Sequence, residues 1–218
     1  MKKYQYNTLI YNFNTLLCEI INYNSLSKLH QKEDFTKMIS DSINDTHKYQ
    51  QSEYHKLYYD NFENKIKSKY VSFIKNVIKP IYGETIVYQQ IPTFRIHFPN
   101  GKSVGMFHKD SQLRDKDWHI SIKEDNFYLP LVDAYDSNTI WVESQEDLGD
   151  YNPINCKYGE FVQWDGTNLM HGNKLNTTLD TRISMDFRIA RYKTFISSKY
   201  NTKNNKTTFS LGGYYEKI

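Results

Sequence analysis

Apolar residues recur every three or four positions through the first eighty residues, and every second position through much of the remaining chain. The first rhythm predicts helices with one buried face, the second predicts half-buried strands. In NTLIYNFNTLLCEIINY, Leu9, Phe13, Leu16, Leu17, Ile20 and Ile21 trace one helical stripe. A second runs from about Ser52 to Lys79 through Tyr58, Phe62, Ile66, Tyr70, Phe73, Ile74 and Val77. No proline or glycine interrupts it before Pro80, and KPIYGET predicts that the helix stops at Pro80 and Gly83.

From about Thr85 the segments become short, aromatic and β-branched, with turn residues between them: TIVYQQ, PTFRIHF, SVGMFH, WHISI, FYLPLV, NTIWVES, INCKYG, EFVQW and RISMDFRIA. Such spacing predicts an antiparallel sandwich or barrel. In the last segment Arg182, Ser184, Asp186 and Arg188 share one face, while Ile183, Met185, Phe187 and Ile189 share the other. The chain divides into a helical flank (1–84), a β core (85–192) and a polar tail (193–218), together one functional domain. A mobile terminus is the first expectation for the tail, and a lid docking by its aromatics the second.

Composition narrows the function. The formal charge is +3 and the sequence pI about 8.6, too mild to call for a nucleic-acid partner. Cys18 and Cys156 are far apart, with no disulfide framework and no C-x-x-C pair. The polar start MKKYQYNTLIYNFNTLL predicts neither a signal peptide nor a membrane span. A cytoplasmic chain is the expectation, in a reducing compartment that suits ferrous iron. The oligomeric state is not indicated.

The chemistry-bearing residues are His108, Asp110, His171, Arg182 and Ser184. On an extended segment, residues i and i+2 project from one face, so His108 and Asp110 can offer a nitrogen and a carboxylate oxygen to one ion. His171 from a distant strand would complete two histidines and a carboxylate, a set that leaves positions open on Fe(II). With seven histidines in the chain, a chance His-x-Asp is expected about half a time, so the pair alone is weak. His97 and His119 are rival ligands. Arg182 follows His171 closely enough to return on a neighbouring strand, where its fork and the Ser184 hydroxyl match a carboxylate. A dicarboxylate with a keto-acid end, 2-oxoglutarate, would fit.

At these residues the chain resembles the Fe(II)/2-oxoglutarate-dependent oxygenases, whose pattern is His-x-Asp, a distal His and Arg-x-Ser. IPTFRIHFPNGKSVGMFHKDS, NFYLPLVDAYDSNTIWVES, GDYNPI, YGEFVQWDGTNLMHGNKLN and TRISMDFRI are similar to the branch of streptomycin-biosynthesis hydroxylase-like proteins. The resemblance covers about residues 85–192. It implies an α+β fold, a double-stranded β-helix (jelly-roll) core with N-terminal helices packed outside. It also implies iron on His108, Asp110 and His171, 2-oxoglutarate on Arg182 and Ser184, and O2 as co-reactant.

Other residues have weaker expectations. Asn126 and Tyr128 would line the cosubstrate pocket. Arg95, Trp141 and Arg188 are substrate-side candidates, with Arg188 an alternative anchor for 2-oxoglutarate and Arg95 equally able to pair with a buried carboxylate. Asp165 is expected to shape the turn before His171. The leading function is hydroxylation of a small polar metabolite of amino-acid, natural-product or amino-sugar type, with release of succinate and CO2. Asp110 argues against halogenation, whereas desaturation and cyclisation use the same metal set. The alternatives are an oxygenase acting on a protein side chain or nucleic acid, and a catalytically silent jelly-roll binding protein.

Overall fold

The computed structural model describes residues 1–33, 35–36, 39, 51–102, 106–113, 123–197, 201 and 207–218. WHISI, with His119, and part of SVGMFH lie outside the described residues.

The long aromatic stripe forms one helical rod. Helices α2 (Glu53–Asn61), α3 (Lys67–Phe73) and α4 (Lys79–Tyr82) are joined by π-helical turns at Phe62–Ile66 and Ile74–Ile78. The sequence explains the π turns. Tyr54, Tyr58, Phe62, Ile66, Tyr70, Ile74, Ile78 and Tyr82 are all buried, a strict repeat of four. An α-helix turns once in about 3.6 residues, so a repeat of four drifts around it by about 40° each time. The wider π turns, closed by i→i+5 bonds, take up the surplus and keep one aromatic edge against the sheet. The helix does not stop at Pro80, which lies at the start of α4 directly after the second π turn. Gly83 ends it in the left-handed conformation, φ 64°.

At the N-terminus the structure corrects two expectations. Lys2–Gln5 forms strand β1 on the edge of a sheet, so the flank is not wholly helical. Helix α1 spans Phe13–Ile21, and Leu9, expected on its buried stripe, is 90% exposed.

The remaining strands are β2 (Ile86–Gln89), β3 (Thr93–His97), β4 (Glu124–Pro130), β5 (Ile140–Val142), β6 (Asn152–Pro153), β7 (Glu160–Trp164), β8 (His171–Asn173), β9 (Arg182–Arg191) and β10 (Tyr215–Lys217). They form two antiparallel sheets. The larger has the order β1-β7-β4-β9-β2-β10, with β3 also paired to β9; the smaller is β6-β5-β8. This mixed α and β architecture, with antiparallel sheets, matches the alternation of the sequence.

The apolar face of the large sheet meets the helical rod. Tyr58 stacks on Phe94 at 4.4 Å, Phe73 meets Phe161 edge-on at 5.6 Å, and Phe127 stacks on Phe187 at 5.3 Å. The buried tyrosines also use their hydroxyls, as such side chains require: Tyr70 donates to the Gln89 carbonyl (2.8 Å) and Tyr82 to Asp125 (2.6 Å). The opposite face of the sheet is polar and is covered by the small sheet, with Tyr128, Val162 and Trp164 packing against Ile140 and Val142. The final residues are not loose: β10 pairs with β2, and Tyr215 is fully buried.

Phe94→Ala should destabilise the protein by about 3–5 kcal/mol, because its cavity opens in the middle of the helix–sheet contact. Leu9→Ala should change stability by less than about 0.5 kcal/mol. Urea unfolding of the two variants beside the wild type checks both.

Candidate metal centre

Two backbone bridges bring the three expected ligands together. His108 and His171 face each other as an antiparallel pair, each N–H donating to the other's carbonyl at 2.9 Å. Residues paired in this way project to the same side of the ladder. Asp110 N–H donates to the Gly166 carbonyl at 2.9 Å, and Asp110 opens a short 3-10 turn, Asp110–Leu113. His108 and Asp110 therefore share a face through tertiary pairing with the 166–171 segment, not through a regular strand. The approach is close: a Cβ on Gly166 would lie 2.6 Å from Asn126 Nδ2.

One ligand atom from each of His108, Asp110 and His171 lies within 4.8 Å of the others, the arrangement a metal ion needs. Asp110 Oδ1 is 3.8 Å from His108 Nε2 and 3.9 Å from His171 Nε2. The other nitrogen of each ring is committed. His108 Nδ1 bonds the Met106 carbonyl (2.8 Å), and His171 Nδ1 bonds the Leu169 carbonyl (2.9 Å). A carbonyl only accepts, so both rings donate through Nδ1 and turn Nε2 towards Asp110. Burial pushes the His171 imidazole down to about 4, which keeps it neutral as a ligand must be. The Trp164 indole closes over His171 edge-on at 4.6 Å.

Asp110 is steered from behind. Its Oδ2 accepts from Asn126 Nδ2 (2.9 Å) and Arg188 Nη2 (2.8 Å). Those two residues are direct cross-strand partners on β4 and β9, and Trp164 of β7 is the next partner of Asn126. One register row of the large sheet thus supplies the indole, the amide and the guanidinium beneath the site.

A cleft of about 720 Å³, counting its open mouth, contains the triad and reaches Arg95, Asn126, Arg182, Asp186 and Arg188. Arg182 is 1% exposed, donates to Asn173 Oδ1 at 3.0 Å and lies 6.0 Å from the Tyr128 ring. Ser184 is on the same face of β9, its hydroxyl buried with no hydrogen-bond partner among the described residues. Arg95 pairs with Asp186 at 3.2 Å, and burial pushes the Asp186 carboxyl up. Arg188 also lines the cleft and pairs with Asp110 at 2.8 Å.

Trp141 does not reach the cleft. Its strand neighbour Ile140 does, and alternation turns Trp141 outward, where its indole donates to the Asp136 carbonyl (2.9 Å) beneath Lys174. Tyr128 lies behind Arg182 in the cluster between the sheets, and burial pushes its phenol up to about 12. The rival ligand His97 is directly opposite Arg182 and bonds the Gly101 carbonyl, apart from the triad. Asp165 caps the turn before His171 by accepting from the Asn168 N–H. Sequence reasoning missed Asn173 and Trp164. Asn173 had a signal, since it stands two residues after His171 on the same strand.

No family model matches the chain. It is 32% identical over 185 residues to the streptomycin biosynthesis protein StrG of Streptomyces griseus, covering 78% of each chain. The chain belongs to the StrG family. Among solved structures it is similar to a nickel complex of the non-haem monooxygenase ThoJ, with TM-score 0.49 and 10% identity over 91% of this chain and 75% of that one. HygX from Streptomyces hygroscopicus, with nickel, 2-oxoglutarate and hygromycin B bound, gives 0.39 and 10% over 66% and 74%. Among the described residues no helix is long and apolar enough to cross a membrane.

The buried histidines set a pH dependence. Burial lowers His55 and His171 to about 4 and His97 to about 3. The unfolded chain takes up protons first, so their neutral burial stabilises the fold fully above pH about 6.5 and progressively less as pH falls towards 4. The unfolding free energy of the metal-free protein, measured with urea, should drop between pH 7 and 5 by on the order of 1 kcal/mol or more per histidine; a flat profile would contradict neutral burial.

Proposed function

We propose that this protein is an Fe(II)- and 2-oxoglutarate-dependent oxygenase that hydroxylates a C–H bond of a small polar metabolite, releasing succinate and CO2. The observation that carries the reading is the convergence of one ligand atom from each of His108, Asp110 and His171 within 4.8 Å. Two imidazoles and a carboxylate on one face suit ferrous ion and leave about three of its six positions for other ligands. His108, Asp110 and His171 would hold the ion, which when bound would supply activation of O2 by oxidation of 2-oxoglutarate.

The chain's own residues would do the rest. Arg182, a planar fork buried at the cleft wall, would bind the far carboxylate of 2-oxoglutarate, and the Ser184 hydroxyl, short of a partner among the described residues, would add a donor. Asn126 would hold Asp110 and face the cosubstrate, while Tyr128 would back Arg182. Trp164 would exclude water from the His171 side. Arg95, paired with Asp186 on the cleft wall, would meet the substrate. StrG is named for streptomycin biosynthesis, which favours a natural-product or amino-sugar substrate over a macromolecule. The two facing antiparallel sheets, with aromatic helices on the outer face of one, support the double-stranded β-helix as a single functional domain.

With Fe(II), ascorbate and 2-oxoglutarate under air the protein should form succinate, and Asp110→Ala should form none. In calorimetry on nickel-loaded protein, Arg182→Ala should weaken 2-oxoglutarate binding by about 2–4 kcal/mol, or thirtyfold or more. Undiminished affinity in that variant would remove Arg182 as the anchor.

A further inference from the structure

We propose that the C-terminal strand β10 and the residue before it are a positioning element of the metal centre: Tyr215 through Glu124, and Tyr214 directly, fix Arg188, and Arg188 fixes Asp110. The proposal rests on the metal-centre reading above and extends it to tyrosines more than 100 positions along the chain from the ligand they serve.

The contacts form a continuous path. The Tyr215 hydroxyl donates to Glu124 Oε2 at 2.5 Å. Glu124 Oε1 is 3.4 Å from Arg188 Nε. Arg188 Nη1 donates to the Tyr214 hydroxyl at 3.3 Å, and Nη2 donates to Asp110 Oδ2 at 2.8 Å. All three nitrogens of the guanidinium therefore have separate partners, and a planar fork held at three corners cannot rotate. Asp110 consequently presents Oδ1 to the histidines while Oδ2 is held.

Stability alone does not account for this path. The Glu124 side chain is fully buried, and a buried ion pair is at best a weak stabiliser against an apolar pair of the same volume. β10 docks without the Tyr215 hydroxyl: its backbone pairs with β2, and the Tyr215 ring packs on Val87, Ala190 and Phe195. The hydroxyl, apart from this packing, donates to Glu124. On the helix-facing side Tyr88 donates to Glu216 (2.6 Å), joining the same two strands away from the cleft. Tyr88 is therefore a matched control.

The test is calorimetric titration of Ni(II) into the metal-free full chain, with each variant's thermal midpoint measured alongside. Tyr215→Phe and Glu124→Gln should weaken Ni(II) binding about five- to twentyfold, as loss of an outer partner of a ligand does, while Tyr88→Phe stays within about twofold. Should Glu124→Gln or Tyr215→Phe fail to fold, Tyr214→Phe carries the same expectation. Wild-type affinity in every folded relay variant overturns the proposal and leaves the metal centre standing. An equal loss in Tyr88→Phe also overturns it, since docking alone would then explain the effect. No Ni(II) binding by the wild type overturns the metal centre itself, and this relay with it.

Discussion

Strand β9 must satisfy two environments at once, and the rest of the molecule is arranged around that demand. Ile183, Met185, Phe187 and Ile189 enter the core shared with the helices, while Arg182, Ser184, Asp186 and Arg188 turn to the other face. Because side chains alternate with a period of two, a slip of one residue would put the arginines into the aromatic core and the apolar set into the cleft. Both outcomes are heavily penalised, so the register of β9 against β3 and β4 is fixed by its own sequence. That register also makes Arg188 the partner of Asn126, the two residues that hold Asp110.

The helical rod is the other half of the constraint. Its four-residue repeat of buried residues is incompatible with an uninterrupted α-helix, and the two π turns resolve the mismatch. The result is a straight aromatic edge against Phe94, Phe161 and Phe187, which stiffens the sheet from behind. A rigid sheet is what a metal site needs, since its ligands are held by packing and not by the ion alone.

Charge is gathered in the cleft and compensated locally. Arg95 is set against Asp186, and Arg188 against Asp110 and Glu124. Such burial of ions adds little to stability. The arrangement makes sense as orientation: the carboxylate and both imidazoles are each held by the atom that would not bind metal. Tyr215 of the last strand joins this arrangement through Glu124.

Local pattern was enough to read much of this protein. The amphipathic helix through Tyr58 and Tyr70, the division near Thr85 and the two faces of β9 all follow from periodicity, because burial of one face is a local property of the sequence. The residue types at 108, 110, 171 and 182 were also legible as a set. Other features were decided only in three dimensions. Lys2–Gln5 is a strand because a sheet edge, supplied by β7 some 155 residues later, was open to it, and Leu9 is exposed because it falls in the turn before α1, which starts only at Phe13. Trp141 faces outward because its strand's register against β8 turns Ile140 inward. The sequence determined which side chains could serve a metal and which faces had to be buried. Tertiary structure decided how they meet: the His108–His171 bridge, the Nδ1 protons on backbone carbonyls, and Arg188 against Asp110. Those contacts join segments tens of residues apart, and their geometry depends on backbone pairing that no local pattern encodes.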